Sequence, residues 1–149
     1  MRRILLSFIV FFIVLIPTPV SAKDVSGRCP KWEPMLKEYG LPVKEFSFIM
    51  WRESRCIPKA IGWNYYPGTS HKDCKLSPAK EYRKCKAVKS YDVGLLQINS
   101  SWKTITAKVC KHQYGKMLIL QRPDCNLKVA KYLYKNGGLK HWQGTSYKR

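Results

Sequence analysis

The chain has 149 residues, 28 of them Lys or Arg against nine Asp or Glu, for a formal net charge of +19. That length argues for one domain, and so large a positive charge draws a protein towards polyanions without naming one. The basic residues are spread along the chain and form no basic helix or recognisable nucleic-acid motif, so no nucleic acid is expected as a partner.

The first 22 residues read as a secretory signal. Arg2 and Arg3 give a basic start, Ile4 to Ile16 is an apolar run broken only by Ser7, and Val20-Ser21-Ala22 is a small-residue cleavage site. The apolar run is 13 residues long, whereas a membrane-spanning helix needs about 20. No stable membrane insertion is therefore expected once the signal is removed. Residues 23–149 form the expected domain, in a secreted or periplasmic setting, as a monomer. For such an exported chain the anionic cell envelope is the expected site of attraction. All six cysteines (Cys29, Cys56, Cys74, Cys85, Cys110 and Cys125) lie in this part. An even count behind a secretory signal implies three disulfides. Spacing does not choose the pairing, although Cys74 with Cys85 would close a short loop. No pair has C-x-x-C spacing and the three histidines are scattered, so neither metal nor cofactor is expected.

A first helix is predicted over Pro30 to Tyr39, stopped by Gly40. A second starts at Pro42 and carries Val43, Phe46, Ile49 and Met50 on one face. Pro58 ends it. Residues 61–90 are rich in Gly, Pro, Ser, Lys and Tyr without sustained periodicity, and read as a surface insertion stapled by Cys74 and Cys85. Residues 93–98 read as a short buried strand or extended segment. Ser100 or Ser101 could cap a third helix to about His112. A last helix is predicted from Pro123, with Leu127, Ala130, Leu133 and Tyr134 on its apolar face and Gly137-Gly138 as its stop. These elements make an α+β fold, mainly helical, with a small β element.

Two segments carry chemistry. In Trp51-Arg52-Glu53-Ser54-Arg55-Cys56, Glu53 follows Ile49 by four residues and Met50 by three, so it falls at the edge of the apolar face. A carboxyl held against apolar groups is desolvated, which raises its pKa and suits it to donate a proton. The plain alternative is a surface Glu paired with Arg52 or Arg55. In Asp92-Val93-Gly94-Leu95-Leu96-Gln97-Ile98-Asn99, Gly94 permits a close backbone approach. Gln97 and Asn99 alternate with apolar residues, which would put their amides on one side. Amides suit sugar hydroxyl and N-acetyl groups, or a polar strand face open to water.

Taken together, a helix ending in Glu53-Ser54 followed by Gly94-Leu95-Leu96-Gln97-Ile98-Asn99 resembles the lysozyme-like superfamily, closest to lytic transglycosylases of the soluble (SLT) type. Pro123-Asp124-Cys125-Asn126-Leu127, Ala130, Tyr134, Gly138 and Trp142 look like the C-terminal helix of small members. The resemblance covers roughly residues 30–142 apart from 61–90. It implies a lysozyme-like fold and cleavage of the β-1,4 bond between N-acetylmuramic acid and N-acetylglucosamine in peptidoglycan glycan strands. Glu53 would be the acid, while Ser54, Gly94, Leu95, Gln97, Asn99 and Tyr134 would line or support the cleft. Of the two roles open to Tyr134, packing is favoured over reaching the cleft, and Trp63 and Trp102 could stack on sugar rings, although burial is the commoner fate of tryptophan.

Asp92 decides the mechanism. The segment from Asp92 to Ser100 is similar to that of animal-type (c-type) lysozymes, where an aspartate two residues before the glycine is the second carboxylate. The expected reading has Asp92 out of play: Glu53 would act alone as acid and then base and leave a 1,6-anhydro end, as a lytic transglycosylase does, with hydrolysis as the alternative. With Asp92 engaged, water would hydrolyse the bond. Two departures stand out. Gly137 to Trp142 replaces the transglycosylases' Ala-Tyr-Asn segment, and Glu53 and Asp92 are 39 positions apart, further than in animal-type lysozymes. A non-catalytic glycan binder and a cationic antibacterial protein acting by charge are the rival readings.

Overall fold

The computed structural model describes residues 28–74 and 85–145; the signal reading of residues 1–22 lies outside them. Helix α1 spans Glu33–Glu38. It is shorter than predicted because residues 29–32 form a turn, closed by the Trp32 amide donating to the Cys29 carbonyl at 2.9 Å. Pro34, with no N–H to give, then fits the first helical turn. Helix α2 spans Val43–Ser54 and buries Phe46, Ile49 and Met50. It stops before Pro58, because Arg55 and Cys56 turn left-handed, with φ of 54° and 64°. Neither residue type favours that region, so the stop is not written in the local sequence. A disulfide to Cys29 holds Cys56 there.

Strands β1 (Ile61–Tyr65), β2 (Val88–Val93) and β3 (Ile98–Asn99) form an antiparallel sheet in the order β1-β2-β3. Two expectations are corrected here. Residues 61–90 are not an insertion throughout: Ile61 pairs with Val93 and Trp63 with Tyr91, so both ends of the segment belong to the sheet. Residues 93–98 are not one strand either. β2 ends at Val93, and the chain turns through Gly94 (φ 84°) and Gln97 (φ 44°) before β3.

Asn99 ends β3 and caps the 3-10 turn Ser100–Trp102, its Oδ1 accepting from the Ser101 amide at 2.9 Å. Helix α3 follows over Lys103–Val109 and ends short of His112, where Lys111 takes a φ of 49°. A 3-10 segment, Met117–Gln121, leads into α4 over Pro123–Gly137. Gly138 (φ 60°) ends α4, and a last 3-10 segment, Gly138–Thr145, folds back on it.

One core joins these pieces. Phe46 and Met50 of α2, Leu95 and Leu96 of the turn, and Leu127 and Val129 of α4 are all fully buried. Side chains of this size each contribute roughly 1.5–3 kcal/mol on burial. Three disulfides, Cys29–Cys56, Cys74–Cys85 and Cys110–Cys125, tie the elements; such bridges persist in oxidising compartments. The protein is thus a mainly helical α+β domain with a small antiparallel sheet. Among the described residues no helix is long and apolar enough to cross a membrane.

Candidate active site

The turn from Val93 to Gln97 sits in the core, so its polar backbone groups need partners. Asn126 of α4, itself fully buried, supplies two of them. Its Nδ2 donates to the carbonyls of Val93 (3.0 Å) and Leu120 (3.1 Å), and its Oδ1 accepts from the Leu96 amide at 3.1 Å. Ser54 Oγ, at the end of α2, lies 2.8 Å from the Leu95 carbonyl, and Trp142 Nε1 donates to the Leu96 carbonyl at 3.0 Å. The Gly94 amide donates to Ala60 at 2.9 Å. Only glycine fits at 94: a Cβ there would collide with the Asn126 amide and the Leu120 carbonyl, and φ is positive.

Above this floor stands Asp92, on the β2 row between Gly62 of β1 and Asn99 of β3. Asn64 Nδ2 donates to its Oδ2 at 2.7 Å and Asn99 Nδ2 to its Oδ1 at 2.8 Å. Each carboxyl oxygen therefore accepts one amide N–H, which fixes the group's orientation. Gly62 also leaves room: a Cβ there would lie 2.8 Å from Gln97 Oε1.

Asp92 and Glu53 line the same cleft, whose volume is about 180 Å³. Glu53 comes from the last turn of α2 and is half-buried. Gln97, Ile98 and Asn99 form part of the wall, and Trp102, His141 and Trp142 another part. Trp102 and His141 meet edge to face with ring centroids 5.4 Å apart. The arrangement sets two carboxyl groups and an aromatic wall around one opening. That combination can protonate a leaving oxygen, stabilise positive charge and hold a ring-shaped substrate.

The side chains expected from the sequence divide into two groups. Glu53, Asp92, Gln97 and Asn99 meet at the cleft, together with Trp102. Ser54, Gly94, Leu95 and Tyr134 are not among its described lining residues. The first three are buried beneath it, and Tyr134 stands edge-on to Phe46 at 5.4 Å, in packing. Trp63 pairs with Tyr91 on the sheet, ring centroids 5.4 Å apart. The two amides do not present free donors either. Gln97 Nε2 donates to the Ala60 and Gly94 carbonyls, and Asn99 Nδ2 to Asp92 and Ser90. Their donors hold the site together.

Asn64, Gly62, Asn126 and His141 escaped the sequence reading as site residues. Strand-like alternation in Ile61-Gly62-Trp63-Asn64-Tyr65 could have flagged the first two, and an Asn on the apolar face of α4 could have flagged Asn126. Among the described residues no group of three His, Cys, Asp or Glu side chains is placed to hold a metal ion.

Fold and cleft together describe a disulfide-bonded α+β domain with a carboxyl-lined cleft. No protein-family model, no curated protein and no solved structure matches the chain.

Proposed function

We propose that the chain is a secreted glycosidase with a lysozyme-like fold that cuts the β-1,4 bond between N-acetylmuramic acid and N-acetylglucosamine in peptidoglycan. Glu53 donates the proton to the glycosidic oxygen. Asp92 faces the positive charge that develops at the anomeric carbon, and water completes the hydrolysis. The observation that carries this reading is the meeting of Glu53 with Asp92 in one cleft, Asp92 being fixed through both oxygens by Asn64 and Asn99. The same observation favours hydrolysis over the transglycosylase route, in which Glu53 acts alone. Trp102, half-buried on the cleft wall, offers apolar ring surface of the kind that sugars stack on.

The test is mass spectrometry of muropeptides released from purified peptidoglycan. Hydrated reducing ends are expected. Glu53→Gln should lower the rate by at least about 100-fold, the usual span of general acid catalysis being about 10²–10⁴, with unchanged folding. Asp92→Asn should lower it by about as much. Release at the normal rate by Glu53→Gln would remove the proposal. Products with 1,6-anhydro ends, formed equally well by Asp92→Asn, would make the protein a lytic transglycosylase. Absence of release from several wall types would favour a non-catalytic glycan-binding protein.

A further inference from the structure

Trp51 lies two residues before Glu53 on α2, roughly 200° away around the helix axis, and is not among the described cleft residues. Two guanidiniums stand over its indole. Arg28 Cζ is 4.6 Å from the ring centroid and Arg55 Cζ is 4.3 Å from it; Arg28 also lies 5.8 Å from the Phe48 ring. A third cation, Lys31 Nζ, sits 5.0 Å over Trp32, whose Nε1 donates to the Cys56 carbonyl at 3.0 Å. The Cys29–Cys56 bridge ties these pieces together. Arg28, Lys31 and Arg55 are exposed, and no described carboxylate is within salt-bridge distance of them.

Gathering like charges with no acid between them opposes folding, and Arg55 holds its place with a left-handed φ of 54°. A guanidinium held over a ring can still turn N–H groups to phosphate, and being held leaves it less freedom to lose on binding. Arg55 Nη1 already donates to the Trp51 carbonyl at 3.2 Å, which leaves its other N–H groups for that role. A lipid surface asks for apolar side chains to insert, and base stacking asks for an open ring. Here the indole is half-buried and already covered by cations.

We propose that Arg28, Arg55 and Lys31 form a docking site for a phosphodiester-linked anionic polymer attached to the bacterial wall. The site anchors the protein while the cleft works on the glycan. The choice of a wall-borne polymer rests on the proposed glycan cleavage; the recognition of repeated phosphates rests on the stack itself.

The test is co-sedimentation of the Glu53→Gln chain, which removes turnover from the readout, with two wall preparations. One carries its phosphodiester polymer, and the other has been stripped of it with hydrofluoric acid. Stripping is expected to weaken binding about tenfold. Arg28→Gln/Arg55→Gln should match that loss on intact walls, show none on stripped walls, and lower the log–log salt slope by about two. Arg28→Lys/Arg55→Lys keeps charge but loses the planar fork. It should retain the slope and lose affinity, which separates recognition from misfolding. Equal binding of the Gln variant and the parent to intact walls would overturn the site. Tighter binding to phosphatidylglycerol vesicles or duplex DNA, abolished by the same variant, would overturn the choice of polymer. Because binding is read without turnover, docking can stand where glycan cleavage fails, and the reverse.

Discussion

An alanine at position 94 would drive its Cβ into the Asn126 amide and the Leu120 carbonyl while having to hold φ near 84°. Neither neighbour can yield cheaply, because Asn126 is fully buried and already bonded to Val93, Leu96 and Leu120. Gly94→Ala is therefore expected to destabilise the domain by about 2–4 kcal/mol in urea unfolding, the range of overpacking and backbone strain together. A loss under about 1 kcal/mol would mean the turn can shift. At this scale the sequence was legible where chemistry and local pattern coincide: Glu53, Asp92, Gln97 and Asn99 stand out by residue type and meet at the cleft. Asn126 and Asn64 did not stand out, because what makes them matter is a partner 33 or 28 residues away. Gln97 and Asn99 were legible as polar, but not as braces whose donors are already taken.

The helices were the most legible elements, and the sheet the least. α2 and α4 carry their apolar faces in period, and Pro123 and Gly138 punctuate α4 at both ends. β3 is two residues, too short to show a period, and the five-residue alternation of β1 is interrupted by a glycine inside a Gly- and Pro-rich stretch. α4 also carries an electrostatic device in its first turn. Burial pushes the Asp124 carboxyl up, but the Arg122 hydrogen bond, the Cys125 amide and the charges of Arg122 and Lys128 outweigh it, so its pKa is lowered overall. A lowered pKa in the folded chain contributes stability above the unfolded value and loses it as pH falls through the folded value. Asp124→Asn should thus lower stability at pH 7, by only about 0.5 kcal/mol because solvent screens the exposed pair. The difference should begin to shrink only below about pH 4, the ordinary carboxyl value, and vanish once the pH is under the lowered folded value. Melting curves of both proteins at the two pH values check this; a gap that persists in acid would place the effect elsewhere.

Over the whole molecule, a charge of +19 on 149 residues resists compaction. The three bridges act against it, each limiting the unfolded chain. Cys29–Cys56 joins the approach to α1 with the end of α2, and Cys110–Cys125 joins the end of α3 with the start of α4. Loss of each bridge is expected to cost about 2–5 kcal/mol, so the melting temperature should fall sharply under reducing agent. An unchanged melting temperature would show that the core alone suffices. Cys74 and Cys85 were legible as neighbours because their loop is short, with a separation of 11; the other pairings depend on the fold and could not be read from spacing.

The tie between Trp142 and the Leu96 carbonyl reaches across 46 residues, and the Asn126 amide reaches back 33 to Val93. A chain grows from its N-terminus, so Glu53 and Asp92 are both made before either tie exists. A nascent chain that stops short of residue 126 has the two carboxyl groups but lacks the Asn126 bonds to the turn beneath them. One that stops between residues 126 and 142 has the Asn126 tie but lacks Trp142 and its bond to the Leu96 carbonyl. Synthesis therefore completes this cleft only once residue 142 has been made.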